Sequence, residues 1–225
     1  MGADPAYFNL ARLEKGCRFV GVFNAIFGQD LIFRILAIVI GLTLHEFGHA
    51  AVAVLLGDNT PREQGRLTLN PLAHLDVLGL LMILFSFFGW ARPVQFNPRR
   101  LRTGPRLGIV LVALAGPMMN VIVAIVSLLL LRSVIYTMPS NSFILLLLTA
   151  LASVNIALAV FNLVPVPPLD GWNVVSNLFP LRGKAWVQSY ERVGPFLMLL
   201  IILTPIGGTA ITYVIQNVAS LFGAI

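Results

Sequence analysis

Three stretches of this chain are apolar for long enough to cross a lipid bilayer. Leu31–Leu56 carries only Arg34, His45, Glu46 and His49 as titratable groups, while 107–131 and 143–164 carry none. Each meets the length of roughly 20 apolar residues that a spanning helix requires. Helices are therefore predicted over about 31–56, 107–132 and 143–164. The first ends at Gly57-Asp58, and the third is stopped by Pro165, Pro167 and Pro168, since proline removes a backbone donor and disfavours the helical conformation of its predecessor. The polar stretch 57–74 holds Pro61, Gly65 and Pro71. The apolar segment 77–90 follows, then a basic loop over 91–106. Residues 171–193 mix a short apolar stretch with Arg182, Lys184 and Arg192, and 194–222 is apolar but interrupted by Pro195, Pro205 and Gly207-Gly208. At the start, residues 1–29 read as an interfacial segment, with Arg12, Lys15 and Arg18 among apolar side chains. The pattern predicts an all-α polytopic membrane protein, a bundle of about 4–6 transmembrane helices, forming one domain over 1–225.

Composition agrees with the pattern. Hydrophobic residues make up 58% of the 225 and charged residues 11%, against about 25% charged in a soluble domain. Too few polar groups exist to coat a water-facing surface. The net charge of +6 would in a soluble protein raise nucleic acid as a partner. Here five of the fifteen basic residues (Arg92, Arg99, Arg100, Arg102 and Arg106) fall in one loop, and the positive-inside rule accounts for them without nucleic acid, the loop facing anionic lipid. Cys17 is the sole cysteine, which excludes an intramolecular disulfide and a thiolate metal cluster. No cleavable signal peptide is expected, because the apolar run 19–27 is short and contains Asn24.

Chemistry enters inside the first long helix, which reads Thr43-Leu44-His45-Glu46-Phe47-Gly48-His49. Residues i and i+4 lie about 40° apart around a helix and one turn along. Both imidazoles therefore point one way and suit a single Zn²⁺, with Glu46 beside them as a general base. This apolar helix concentrates two of the three histidines and one of the four glutamates in the chain, and ionisable groups at membrane depth are costly and usually functional. The competing reading is a polar cluster that hydrogen-bonds neighbouring helices. Catalytic zinc generally takes a third protein ligand and keeps one position open. With the N-terminal tail and the charged loops set aside, Asp58, His74, Asp76 and Asp170 remain for that role. Asp170 follows the stretch Pro165-Val166-Pro167-Pro168-Leu169; non-helical backbone at membrane depth is tolerated where it lines a water-filled cavity. Its structural alternative is an N-cap on the helix that follows. For His74 and Asp76 the favoured reading is capping and loop hydrogen bonds beside Pro71, and for Asp58 a turn after Gly57.

Three motifs in order resemble the site-2 protease family of intramembrane zinc metalloproteases (peptidase family M50). They are His45-Glu46-Phe47-Gly48-His49, Gly116-Pro117-Met118-Met119-Asn120, and Asn162-Leu163-Val164-Pro165-Val166-Pro167-Pro168-Leu169-Asp170-Gly171. The Gly65–Asp76 stretch and Phe88-Gly89-Trp90-Ala91-Arg92-Pro93-Val94 look similar to a compact branch without PDZ or CBS domains. The resemblance implies that His45, His49 and Asp170 bind one zinc per chain and that Glu46 is the base. It also implies that Asn162 contacts an extended substrate strand and that Asn120 lies near the catalytic centre. Trp172 departs from the family, standing where many members have a second glycine.

A shared zinc constrains the topology. Zinc bonds to nitrogen and oxygen are about 2 Å long, so His45, His49 and Asp170 must meet at one depth. A full crossing by 77–90 would bring Asp170 in from the wrong side, and its fourteen residues are short for a span. A re-entrant or membrane-inserted loop near 77–90 removes the conflict and places 57–106 and 171–193 on one face. That face carries ten basic residues from those two regions against none in 133–142, so it is expected to be cytoplasmic. The N-terminal cations count weakly against this. The expected domain plan is an interfacial segment at 1–29, a catalytic core at 31–180 and, at 194–222, either a lateral gate or an ordinary kinked packing helix. The expected activity is hydrolysis of a peptide bond in or near the transmembrane segment of a membrane-protein substrate, in the bilayer of a prokaryotic cell, with the site open to the cytoplasm. A metal-ion transporter and a catalytically inactive binding protein are the rival classes.

Overall fold

The computed structural model describes residues 31–76, 79, 91–139, 142–179, 181 and 184–222. Among them are seven α-helices and no β-strand. In chain order these are α1 (Leu31–Leu55), α2 (Thr60–Glu63), α3 (Pro105–Val134), α4 (Phe143–Asn162), α5 (Asp170–Leu178), α6 (Ala185–Leu203) and α7 (Pro205–Leu221). Single 3₁₀ turns occur at Pro71–Ala73 and Pro98–Arg100, each capped by the asparagine before it, Asn70 and Asn97. By length and composition α1, α3 and α4 suffice to cross a membrane, and the protein is a membrane protein. The three long apolar stretches appear close to their expected limits. Near the C-terminus the expected interruption at Pro205 appears, the break falling at Thr204 with Pro205 as the first residue of α7, whereas Pro195 sits inside α6 and Gly207-Gly208 lies within α7. The N-terminal segment 1–29 and most of 77–90 lie outside the described residues.

The bundle's interior is rich in small and polar residues among larger ones such as Leu128 and Val112, and its exterior is large and apolar. Ala37, Ala50, Ala53, Ala113, Ala124, Ala152 and Ala159 are buried, whereas Leu107, Ile122, Leu129, Leu130, Phe143 and Phe196 are exposed. Lipid tails are as apolar as leucine, so burial gives large side chains little advantage, and helices associate closely where small residues let backbones approach. Gly48 shows the closeness at the α1–α3 crossing: a Cβ there would stand 2.8 Å from the Ala115 carbonyl oxygen. Helices α1, α3 and α4 pack pairwise, and α5 lies against α3. Helix α7 lies on α4, where Val214, Ile215, Val218 and Ala219 cover Ala152 and Ile156.

The loop after α1 is tied back to that helix. Asp58 is fully buried and accepts from the Thr60 hydroxyl at 2.6 Å, the Thr60 amide at 3.1 Å and the Asn97 amide. The Arg102 amide donates to the Leu56 carbonyl at 2.8 Å. Asp58 is thus a turn residue, as expected, and also an anchor for a segment about forty positions away. Leu75 and Ala91 form an antiparallel bridge, and the Arg92 amide donates to the His74 carbonyl at 2.7 Å. The chain therefore enters and leaves the 76–90 stretch at one level.

Candidate metal centre

His45, Glu46 and His49 are all buried on α1. Asp170 comes to them from the other end of the sequence as the first residue of α5. It is not a cap: Leu169 occupies the cap position, without a side-chain cap bond. A succession of turns delivers it, in which Val166 donates to the Val164 carbonyl at 2.8 Å and Leu169 to the Val166 carbonyl at 2.9 Å. Helix α6 braces this segment. The Tyr190 hydroxyl donates to the Pro165 carbonyl at 2.8 Å, and the Trp172 indole N–H donates to Glu191 at 3.1 Å. Trp172, buried and packed edge-on against Tyr190 at 4.8 Å, makes contacts that glycine would lack.

The His45 Nε2, His49 Nε2 and Asp170 carboxylate converge. The two nitrogens are 3.1 Å apart, and Asp170 Oδ2 lies 3.1 Å from His45 and 3.3 Å from His49. Ligands around a tetrahedral zinc with bonds near 2 Å are separated by about 3.3 Å, so the triangle has the dimensions that zinc demands. Hydrogen bonding reaches the same conclusion independently. His49 Nδ1 is 2.7 Å from the Val112 carbonyl, which can only accept, so this nitrogen carries the proton. His45 Nδ1 is 2.6 Å from Asn120 Oδ1. Both Asn120 amide hydrogens are committed elsewhere, to the Gly41 carbonyl at 3.1 Å and to Asn155 Oδ1 at 2.8 Å, so Asn120 accepts from His45. In the neutral rings both Nε2 atoms then present lone pairs to one another and to Asp170 Oδ2, a buried atom with no hydrogen-bond partner. Three converging acceptors are a donor set suited to a metal cation, and partners on the far nitrogens are the usual way of orienting metal-bound imidazoles.

Backbone approach completes the centre. Helix α3 runs past the imidazoles at Gly116, where a Cβ would stand 2.6 Å from His45 Nε2. Pro117 follows inside the helix and leaves the Ala113 carbonyl without its helical donor. Glu46 receives the Val94 amide at 3.1 Å, which brings the 91–97 segment to the candidate base. Among the described residues, His45, His49 and Asp170 form the one group of three metal-ligating side chains. His74, fully buried, bonds the Thr68 carbonyl at 2.8 Å, and Asp76 accepts from the Gly79 amide at 3.0 Å, the loop roles favoured for them. The Asn162 side chain donates to the Leu158 carbonyl at 2.9 Å within its own helix. Asn155 and the Val112 carbonyl were not singled out from the sequence, and Gly116 and Val94 stood there only as members of motifs, without a role of their own. For Asn155 the available signal was an amide in mid-span, surrounded by apolar residues.

A helical membrane bundle with two histidines and a carboxylate converging beside a buried glutamate defines a membrane metallohydrolase. Comparison with known proteins makes the class specific. The model of peptidase family M50 matches residues 133–205. Proteins curated under the name "Putative zinc metalloprotease" are similar over most of the chain. YwhC of Bacillus subtilis (strain 168) is 39% identical over 180 residues, 78% of this chain and 82% of that protein. Rip2 of Mycolicibacterium smegmatis is 30% identical over 193 residues, 83% of this chain and 70% of that protein. Rip2 of Mycobacterium tuberculosis (strain ATCC 25618 / H37Rv) is 31% identical over 176 residues, 75% and 66% respectively. No solved structure matches. The chain belongs to peptidase family M50 and is a zinc metallopeptidase.

Proposed function

We propose that this protein hydrolyses a peptide bond in or near the transmembrane segment of a membrane-protein substrate, with His45, His49 and Asp170 holding the zinc and Glu46 acting as general base. The observation that carries this reading is the burial of His45, Glu46 and His49 on a helix long and apolar enough to span the bilayer, with the Asp170 carboxylate converging on the two imidazoles. Bound zinc supplies Lewis acidity toward the scissile carbonyl and the attacking water. Glu46 takes the proton of that water and returns it to the leaving amine. The Val94 N–H holds one carboxylate oxygen of Glu46, and this leaves the other to face the reacting water. A helical substrate hides its carbonyls in its own hydrogen bonds, so it must unwind before cleavage. Asn162 and backbone from the 57–106 region hold it extended by strand addition. Helices α6 and α7, separated at Thr204, form the gate.

The site opens to the cytoplasm in this reading. His49 and His45 lie seven and eleven residues before Leu56, hence roughly 10–16 Å below that end of the helix. The loops beyond that end hold the arginine-rich segments, and the bridge between Leu75 and Ala91 supports placing the two described parts of the 57–106 region on one face. A prokaryotic cell membrane fits this reading, since the similar proteins are bacterial. The test is reconstitution of the purified chain with membrane-protein substrates, comparing the parent with Glu46→Gln. Zinc-dependent cleavage is expected in the parent and a fall of about 10²–10⁴-fold in the variant. Equal cleavage by both would remove Glu46 from the mechanism, and cleavage of soluble peptides alone would remove the membrane substrate.

A further inference from the structure

Asn155 reaches the metal centre only through its hydrogen bond with Asn120. It is fully buried in the middle of α4, where an amide is costly unless satisfied. Its hydrogen bonds have a direction. The Nδ2 group donates to the Leu151 carbonyl at 2.9 Å, a group that can only accept, so the Oδ1 atom must point the other way. There it accepts from Asn120 Nδ2 at 2.8 Å. Asn120, also fully buried, then has its own oxygen turned toward His45 Nδ1 at 2.6 Å. The relay runs from the α4 backbone through two amides on two helices to the imidazole on α1. Gly41 makes room for it: a Cβ there would stand 2.9 Å from Asn155 Oδ1.

We infer that Asn155 is a positioning residue for the zinc centre, acting through Asn120 to hold the His45 ring with Nδ1 protonated and Nε2 aimed at the metal. The Gly41 carbonyl takes one Asn120 hydrogen, and Asn155 takes the other. Without Asn155, a buried N–H loses its acceptor, and Asn120 regains one only by rotating off His45. An interhelical tie that merely glued α3 to α4 would need no such polarity and would leave metal affinity untouched. The inference rests on His45 being a zinc ligand, as proposed above.

The experiment measures the zinc dissociation constant of the full chain in detergent by competition with a chromophoric chelator. Asn155→Leu and the smaller Asn155→Ala are each expected to weaken zinc about 10-fold, the scale of lost partners to metal-bound histidines. Asn155→Asp keeps an acceptor toward Asn120, so it is expected to stay within about 3-fold of the parent. Asn120→Leu combined with Asn155→Ala is expected to bind about as weakly as Asn120→Leu alone, since residues in one relay are not additive. Parent-like zinc binding by Asn155→Ala overturns the inference. Equal impairment by the aspartate variant, or additive losses in the double variant, does the same. If Asn155→Leu does not yield a folded helical protein, the alanine and aspartate variants carry the comparison. His45→Ala separates the two levels: unchanged zinc binding in that variant removes the ligand assignment, whereas its loss together with a silent Asn155→Ala removes only the role of Asn155.

Discussion

Gly116→Ala adds one methyl group to the middle of a long helix, and in an ordinary helix it would be favourable by up to about 1 kcal/mol, because glycine is a poor helix former. Here the opposite is expected. The new Cβ would lie nearest His49 Nε2 and 2.6 Å from both His45 Nε2 and His49 Cε1, against a comfortable separation of about 3.5 Å. More than about 0.9 Å must be yielded, and little around the rings can yield. His45 is held at its far nitrogen by Asn120 and His49 by the Val112 carbonyl. Gly48 already sets α1 against the α3 backbone. The displacement falls on the triangle of zinc ligands, where bonds are only about 2 Å long. Zinc affinity is expected to fall at least about 100-fold, or roughly 2.7 kcal/mol. Thermal unfolding of the metal-free protein should change by no more than the roughly 1–3 kcal/mol of an overpacked core. Chelator competition gives the first quantity, and a melting curve in excess chelator gives the second. Parent-like zinc affinity in Gly116→Ala would show that the backbone of α3 does not bound the metal centre.

Asp58 offers a pH-dependent test away from the membrane spans. Burial alone would raise its pKa, but the Thr60 hydroxyl, the amides of Asn97 and Thr60, and the Arg100 guanidinium outweigh that and hold it below the ordinary carboxylate value. Because the folded value is depressed, the tie stabilises the protein above the unfolded carboxylate range and is lost as the pH falls through the depressed value. Asp58→Asn should cost roughly 2 kcal/mol at neutral pH, and its melting temperature should approach that of the parent toward about pH 3; a gap that stays constant over this range refutes the account. The brace on the Pro-rich segment predicts that Glu191→Gln, which keeps an acceptor for the Trp172 indole, melts within about 0.5 kcal/mol of the parent, and that Glu191→Leu costs about 1 kcal/mol. Equal melting of the two variants would show that this bond does not hold α5 in place.

Much of the bundle could be foreseen because its determinants are local. The runs 31–56, 107–131 and 143–164 specify spanning helices through their own composition, since a backbone in lipid must satisfy its hydrogen bonds within the segment. The pairing of His45 with His49 follows likewise from the helical repeat over four residues. Asp170 was harder. It stood as one of four remaining acidic and imidazole candidates, and resemblance to the family singled it out. Its position depends on turns after Leu163 and on bracing by Tyr190 and Glu191 from α6, which no local pattern announces. The break at Pro205 was legible, because proline takes the first turn of α7, where its missing N–H costs nothing, whereas the interruptions expected at Pro195 and Gly207-Gly208 are absorbed within α6 and α7.

What the sequence determined by itself is the membrane class, the long spans and the identity of the groups able to hold zinc. Only the tertiary structure decided how those groups are held. The partners of His45 and His49 are Asn120 and the Val112 carbonyl, separated from them by 75 and 63 positions. The partner of Glu46 is a backbone amide 48 positions away, invisible in sequence because every residue other than proline carries one. Gly116 stands in the sequence as the first residue of a motif, but its part in admitting the imidazoles shows only when α1 is laid against it. A metal site needs its ligands fixed to fractions of an ångström, and that precision comes from packing between helices, which the order of residues along one helix does not express.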